Sequence, residues 1–219
     1  MVRRLLDIAV SIGALVVLSP LLLGVSIAQK LSSPGPVFFL QRRAGRDGAP
    51  FWLCKFRTMK VQQAASASAL TTHGDSRITP IGHFLRRWKI DELPQFWNVL
   101  KGDMSLVGPR PEMEKFVHRY TPEQRGVLRI RPGLAFRAQL VYPHEPDLLA
   151  DHPDPERAYV EELMPKKLQA DLEYMKERTL MSDFGLVVEI LLLVAGVRPR
   201  MDTAFRFRDA APAHRQETA

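Results

Sequence analysis

IAVSIGALVVLSPLLLGVSIA, residues 8–28, is the stretch whose reading decides the fold. No charge interrupts these 21 residues, about the length needed to cross the hydrocarbon of a bilayer. A secretory signal would carry a shorter apolar run followed by a small-residue cleavage site. Here the run continues into QKLSSPGPVFF, so the segment is expected to be retained. Ser19-Pro20 lies in its middle, where proline removes a helix hydrogen bond and crowds the preceding turn. The freed carbonyl needs a partner inside lipid, and the Ser19 hydroxyl is a candidate. Two readings stay open from these residues: a kinked spanning helix, or a re-entrant hairpin that returns to the face it entered. Arg3 and Arg4 precede the segment, and Lys30, Arg42, Arg43 and Arg46 follow it. Positive charge prefers the cytoplasmic side, so basic residues on both flanks favour the hairpin.

Outward from this segment, SSPGP (32–36) is a turn cluster that closes it. VFFLQRRAGRDGAPFWLCKFRTM (37–59) reads as two short strands around a Gly-rich loop. Residues 62–76 are small and polar, a loop. Residues 81–90 read as an amphipathic helix with Ile81, Phe84, Leu85 and Trp88 on one face and His83, Arg86 and Arg87 opposite. A second helix is expected after Asp91, with Leu93, Phe96, Trp97 and Leu100 sharing a face. GDMSLVGPRPE (102–112) carries too much Gly and Pro for regular structure, and 143–155 is a second Pro-rich loop. Residues 156–179 read as helix broken near Pro165. Residues 184–197 are apolar apart from Glu189, short for a span and suited to a core or interfacial helix. The class is α+β and mainly helical. The expected division is a membrane helix over 1–31, a compact catalytic domain over 32–203 and a flexible tail over 204–219.

Composition narrows the partners. The chain has 219 residues, 46% of them hydrophobic, enough for one domain with an anchor. Lys and Arg total 31 against 24 Asp and Glu, a net charge of +7 that suits an anionic partner. The lone Cys54 excludes an internal disulfide framework and, with six scattered His, makes a Cys/His zinc site improbable.

Asp91-Glu92-Leu93-Pro94 is the strongest local signal for chemistry. Asp is a favoured N-cap and Pro is tolerated in a first turn, so Asp91 is expected to cap the second helix, ionised at its positive end. An ionised carboxylate is a nucleophile towards phosphorus. Glu92 beside it suits Mg²⁺, which prefers carboxylate and phosphate oxygens. A plain structural cap with a solvated Glu is the competing reading. Lys55, Arg57, Arg86, Arg87, Arg110 and Arg131 lie in segments able to converge on this point, and arginine holds phosphate bidentately. In Pro109-Arg110-Pro111 two prolines stiffen the backbone around one cation.

These residues resemble the monotopic phosphoglycosyl transferases, the bacterial initiating sugar transferases, over about residues 1–200. The resemblance rests on LSP (18–20), SSPGPVFFLQRRAG (32–45), KFRTM (55–59), GDSRITPIG (74–82) and DELPQFWNVLKGDMSLVGPRPE (91–112). It implies a re-entrant membrane helix broken at Ser19 and Pro20, with the catalytic domain on the cytoplasmic face of the bacterial inner membrane. It implies transfer of a sugar 1-phosphate from a UDP-sugar to polyprenyl phosphate, with release of UMP, as the first membrane step of polysaccharide or glycoconjugate synthesis. Asp91 would be the nucleophile. Glu92 matches the second acidic residue, associated with Mg²⁺. Arg110 matches the arginine at the nucleotide, and Lys55, Arg57 and Arg86 match basic positions around the site.

One stretch departs from the resemblance. Family members read like PGITGWAQVNGR where this chain has PGLAFRAQLVYP (132–143). The usual Thr is Ala135, the Gly-Trp pair is Phe136-Arg137, and the final Arg, expected at phosphate, is Pro143. Arg137 is the candidate substitute for that phosphate ligand. A tethered scaffold without turnover would explain the altered loop but not the intact Asp91, Glu92 and Arg110. A nucleic-acid-binding protein would need a reading helix or an aromatic platform, and the membrane segment argues against it. The sugar is not legible in these residues, and a homodimer is the working expectation for assembly.

Overall fold

The computed structural model describes residues 1–61, 75–143, 148–149 and 152–197. Most of the polar loop expected at 62–76 and the whole tail from 204 therefore lie outside the described residues.

Two helices open the chain: α1 (Val2–Val17) and α2 (Ser19–Ser32), bent by 58° at Leu18. Among the described residues no single helix is long and apolar enough to cross a membrane, while this bent pair passes by length and composition. The cause of the bend is local. Pro20 has no N–H for the carbonyl of Val16, four residues earlier. The Ser19 hydroxyl donates to that carbonyl at 2.7 Å instead.

Both ends of the bent pair are tied to the same globular body. At the start, Arg3 Nε meets Asp183 at 2.9 Å, and Arg4 donates to the carbonyls of Val99 and Leu100 at 2.5 and 2.7 Å. Asp7, buried, accepts from the Ser105 hydroxyl and the Leu106 N–H. At the far end, Gln29 donates to the carbonyl of Arg57 at 2.7 Å. Val25 packs on Phe56 and Leu85. Both ends of the bent pair are thus docked to the globular body. Between the docked ends, Ile12, Val16, Val17, Leu21, Leu23 and Ile27 are exposed.

The expected hairpin forms as β1 (Phe38–Ala44) and β2 (Pro50–Phe56), antiparallel, with Phe39 opposite Lys55, Gln41 opposite Leu53 and Arg43 opposite Phe51. Helix α3 (Pro80–Arg87) is capped by Thr79, whose hydroxyl accepts the Gly82 N–H. Its faces differ from the expectation. Ile81 and Leu85 face the core, but Phe84 and Trp88 are exposed, and Arg86 turns inward to the Thr58 hydroxyl at 2.8 Å. Gly82 sets that orientation, since a Cβ there would lie 2.2 Å from the Thr58 carbonyl.

Helix α4 (Gln95–Lys101) also turns a different face inward. Its buried residues are Gln95, Asn98 and Val99, while Trp97 is exposed. Asn98 earns its burial through hydrogen bonds to backbone. It accepts from the Cys54 N–H at 2.9 Å and donates to the Trp52 carbonyl at 2.7 Å, locking α4 to the hairpin. GDMSLVGPRPE is not wholly irregular: β3 (Ser105–Val107) pairs in parallel with β4 (Gly133–Ala135). The segment is short enough that its glycines and prolines fall outside the three paired residues.

Helices α5 (Glu114–Val117) and α6 (Arg137–Val141) follow, then α7 (Pro155–Ala158), a π-turn (Tyr159–Leu163), α8 (Met164–Glu177) and α9 (Leu180–Val194). The expected break near Pro165 is this π-turn, which ends two residues before the proline, so that Pro165 falls in the first turn of α8, where its missing N–H costs no hydrogen bond. The largest core gathers Phe116, Tyr120, Val127, Tyr159, Leu163, Met164 and Leu168. Leu186 and Ile190 of α9 pack on Val107 and Ala135, while Leu180, Met181, Phe184 and Leu191 are exposed.

Candidate active site

The site is built where the hairpin, the turn before α4 and two loops meet. Lys89, at φ 55°, ends α3 in a left-handed conformation and turns the chain into a short 3₁₀ turn, Ile90–Glu92. Asp91 and Glu92 sit in that turn, and α4 starts only at Gln95 with Pro94 as its N-cap. Asp91 is therefore not the cap of α4, and the expectation that a helix dipole keeps it ionised fails. Burial and the neighbouring Glu92 charge instead push its carboxyl up to about 6, against the opposing pull of Lys89, Lys55 and Arg86. Burial also disfavours charge on Glu92. There Lys89, Arg110 and Lys55 outweigh it and hold the carboxyl below its ordinary value.

Beside this turn lies an open cleft of about 370 Å³ lined by Arg43, Leu53, Lys55, Glu92, Gln95, Arg110, Pro111, Gly133, Leu134 and Phe136. The hairpin register explains three of these. Gln41, Arg43, Leu53 and Lys55 share one face of β1–β2, so Arg43, Leu53 and Lys55 point together. Burial, with Arg43 nearby, pushes the Lys55 ammonium down to about 8, although Asp91 and Glu92 resist. Arg43 also pairs with Glu112 at 3.2 Å, and the Tyr159 hydroxyl donates to the other Glu112 oxygen.

Arg110 arrives through a tight backbone approach. A Cβ on Gly133 would lie 2.1 Å from the Gly108 nitrogen, so only glycine lets the 108–111 loop lie on the start of β4. Asp171 of α8, fully enclosed, then ties the two loops together. It accepts the Arg110 N–H at 3.4 Å and the Ala138 N–H at 3.0 Å. Burial pushes its carboxyl up to about 6, moderated by those two N–H groups and by Lys167 and Arg110.

Of the residues singled out in the sequence, Lys55, Glu92 and Arg110 line the cleft. Asp91 and Arg86 lie against it without being among its lining residues, and their charges act on one another. Two are not brought there. Arg57 donates to the carbonyls of Pro34 and Ser33 at 2.7 and 3.1 Å, holding the elbow where α2 enters the hairpin. Arg137 pairs with Glu189 of α9 at 3.5 Å and is not among the residues lining the cleft. Arg43, Gln95, Phe136 and Asp171 were missed. The alternation of Arg43 with Lys55 across a hairpin was a usable signal once a register was assumed. Asp171, 61 residues from Arg110, left none in a single sequence.

A divalent cation fits the residues present. Asp91 Oδ1 is buried without a hydrogen-bond partner among the described residues, and such an atom is costly unless a ligand satisfies it. Among the described residues no cluster of three His, Cys, Asp or Glu side chains is suited to a metal. Asp91 and Glu92 alone match a cation that takes one or two carboxylates and completes its shell with phosphate oxygens and water.

Residues 1–196 match the bacterial sugar transferase family model, and the chain belongs to that family. It is 39% identical over 191 residues to the UDP-glucose:undecaprenyl-phosphate glucose-1-phosphate transferase of Escherichia coli, covering 85% of this chain and 39% of that protein. It is 36% identical over 200 residues to the UDP-N-acetylgalactosamine-undecaprenyl-phosphate N-acetylgalactosaminephosphotransferase of Aeromonas hydrophila, covering 90% and 43%. An exopolysaccharide production protein of Rhizobium leguminosarum bv. phaseoli is 38% identical over 200 residues, covering 86% and 94%. The chain thus spans about two fifths of the first two relatives and nearly all of the third.

Proposed function

We propose that this chain transfers a sugar 1-phosphate from a UDP-sugar to polyprenyl (undecaprenyl) phosphate and releases UMP. The single observation that carries the reading is the buried Asp91 oxygen, without a hydrogen-bond partner among the described residues, at the edge of a cleft lined by Arg43, Lys55 and Arg110. A carboxylate in that setting is poised for an anionic ligand that arrives with its own cation. The names of the similar proteins supply the substrate classes.

In the first step an Asp91 carboxylate oxygen attacks the sugar-bearing phosphorus. The phosphorus–oxygen bond to UMP breaks, UMP leaves with that bonding pair, and the sugar phosphate stays on Asp91 as an acyl phosphate. In the second step a phosphate oxygen of the polyprenyl phosphate attacks the same phosphorus and returns Asp91 as a carboxylate. Lys55, Arg110 and Arg43 hold the diphosphate and take up charge that develops on the leaving UMP. Asp91 and Glu92 would hold Mg²⁺, which when bound supplies charge neutralisation for the diphosphate. Arg86, fixed by Thr58, keeps positive charge behind the nucleophile.

The acceptor is a lipid, and the bent helix pair suits a re-entrant anchor in the cytoplasmic leaflet. Its arms of 16 and 14 residues are about 24 and 21 Å long. With both ends at one level, a 58° bend carries the apex only about 10 Å deep, less than half of a hydrocarbon core of about 30 Å. Exposed Trp88, Trp97, Phe84 and Phe184 are of the kind that settles at a membrane interface.

The test is release of UMP by purified protein given Mg²⁺, polyprenyl phosphate and a panel of UDP-sugars. Release with one or more donors supports the reading. No release with any of them, from folded protein in lipid, contradicts it.

A further inference from the structure

Phe136 directly follows β4, and the structure puts its ring in the cleft. It is 6% exposed and among the residues lining the cleft. The Arg110 guanidinium carbon lies over this ring, 5.2 Å from its centroid. Phe136 is itself held on both sides. Ala135 before it ends β4, and the Ala138 N–H after it is bound by Asp171. The same Asp171 carboxylate accepts the backbone N–H of Arg110. One buried side chain therefore fixes the backbones of both partners, and the ring fixes the guanidinium.

We propose that Phe136 is a positioning residue for Arg110, setting the height and tilt of its guanidinium for the diphosphate of the donor. The inference rests on the transferase reading above and deepens it. The geometry is suited to the task. A guanidinium stacks through its face and hydrogen-bonds through its edge, so stacking on Phe136 is compatible with bidentate contact to phosphate. Its five N–H donors lie in one plane, so fixing that plane decides which phosphate oxygens they reach. A glycine at 136 would leave the flexible arginine stem to find that plane at an entropic cost when donor binds.

The atypical loop then has a specific consequence. Arg137, next to Phe136 in this loop, is paired with Glu189 and not with the cleft. Of the three cleft cations Arg43, Lys55 and Arg110, Phe136 makes Arg110 rigid.

The experiment is a double-mutant cycle on Phe136 and Arg110 in the full chain, read by UDP binding and by donor kinetics. Phe136→Leu keeps bulk in the cleft wall but removes the ring, and Phe136→Tyr restores it. A cation over an aromatic ring contributes about 0.5–2 kcal/mol, a factor of roughly 2 to 30. Phe136→Leu should weaken UDP binding and raise the donor KM within that range, with kcat changed less than about twofold. Phe136→Tyr should recover the wild-type KM. In an Arg110→Gln background, Phe136→Leu should have no further effect on UDP binding. An equal loss with and without Arg110 would overturn the proposal. So would a Tyr variant as impaired as Leu, or a loss confined to kcat. Wild-type turnover reports separately on the transferase reading. A wild-type chain that turns over but shows no coupling refutes the positioning role alone, and one that neither binds UDP nor turns over refutes both.

Discussion

Arg3 and Asp183 meet at 2.9 Å although 180 residues separate them. The contact binds the first turn of α1 to the first turn of α9. Asp183 is also held by Arg178 Nε at 2.7 Å and the Tyr174 hydroxyl at 2.8 Å, so its geometry is fixed from several sides. Gln29 makes the matching contact at the other end of the bent pair, on the carbonyl of Arg57.

These two ties predict the topology. Single cysteines at Val2 and Ser33, in a Cys54→Ser background, should both react with an impermeant thiol reagent from the cytoplasmic side of membrane vesicles. Labelling from opposite sides would show a spanning helix and remove the re-entrant reading.

Arg57 should behave as a structural residue. Its guanidinium donates to the Pro34 and Ser33 carbonyls, and charge-assisted bonds of this kind are each worth about 1.5–3 kcal/mol. Arg57→Ala should lower thermal stability by about 2–4 kcal/mol, while the folded fraction keeps a donor KM within about twofold of wild type. A large KM change at unchanged stability would return Arg57 to the cleft.

Arg110 and Arg137 should separate in kinetics. Arg110→Gln removes a cleft cation and should raise donor KM or lower kcat by at least about tenfold. Arg137→Gln breaks only the pair with Glu189 and should change both by less than about twofold. Equal losses would mean that Arg137 leaves Glu189 to bind substrate.

The raised Asp91 carboxyl makes two pH predictions. Attack requires the carboxylate, so the rate of UMP release in the first step should fall about tenfold per unit on the acid side of the Asp91 value, which is about 6 without a cation and lower once Mg²⁺ binds. Glu92→Gln removes a charge that raises Asp91, so the acid limb should move to lower pH whatever happens to its height. Stability runs the other way. With the folded value near 6 and the ordinary one at 3.8, the contribution of Asp91 is complete below about pH 4 and is lost as pH rises through 6. Asp91→Asn should therefore stabilise the metal-free protein at pH 7.5, by up to about 3 kcal/mol, with the difference vanishing near pH 4. A variant less stable than wild type at pH 7.5 would contradict the burial account.

How much of this was legible depended on the range of the interactions. The hairpin, the break at Ser19-Pro20 and the locations of α3, α4 and α9 follow from local periodicity and turn chemistry. The faces of α3 and α4 did not. Gly82 against the Thr58 carbonyl and Asn98 against the backbone of β2 override apolar periodicity with backbone contacts from distant segments. At the site, Asp91-Glu92 stood out in sequence, but its setting did not. The cap reading missed that Lys89 turns left-handed and moves the start of α4 to Gln95. Arg57 matched a basic position by resemblance and Arg137 was the candidate substitute for a missing arginine, and only the fold shows their charges paired with the Pro34 carbonyl and with Glu189.

The central claim is that Asp91 carries the sugar phosphate. Its most direct test is the intact mass of the protein after incubation with a turned-over UDP-sugar and Mg²⁺, without lipid acceptor. The account predicts one added sugar phosphate per chain, with an equal amount of UMP released, mapped to the peptide containing Asp91 and discharged by polyprenyl phosphate. Asp91→Asn should gain no mass and release no UMP. Turnover by Asp91→Asn, or UMP release only when donor and acceptor are present together, would contradict it.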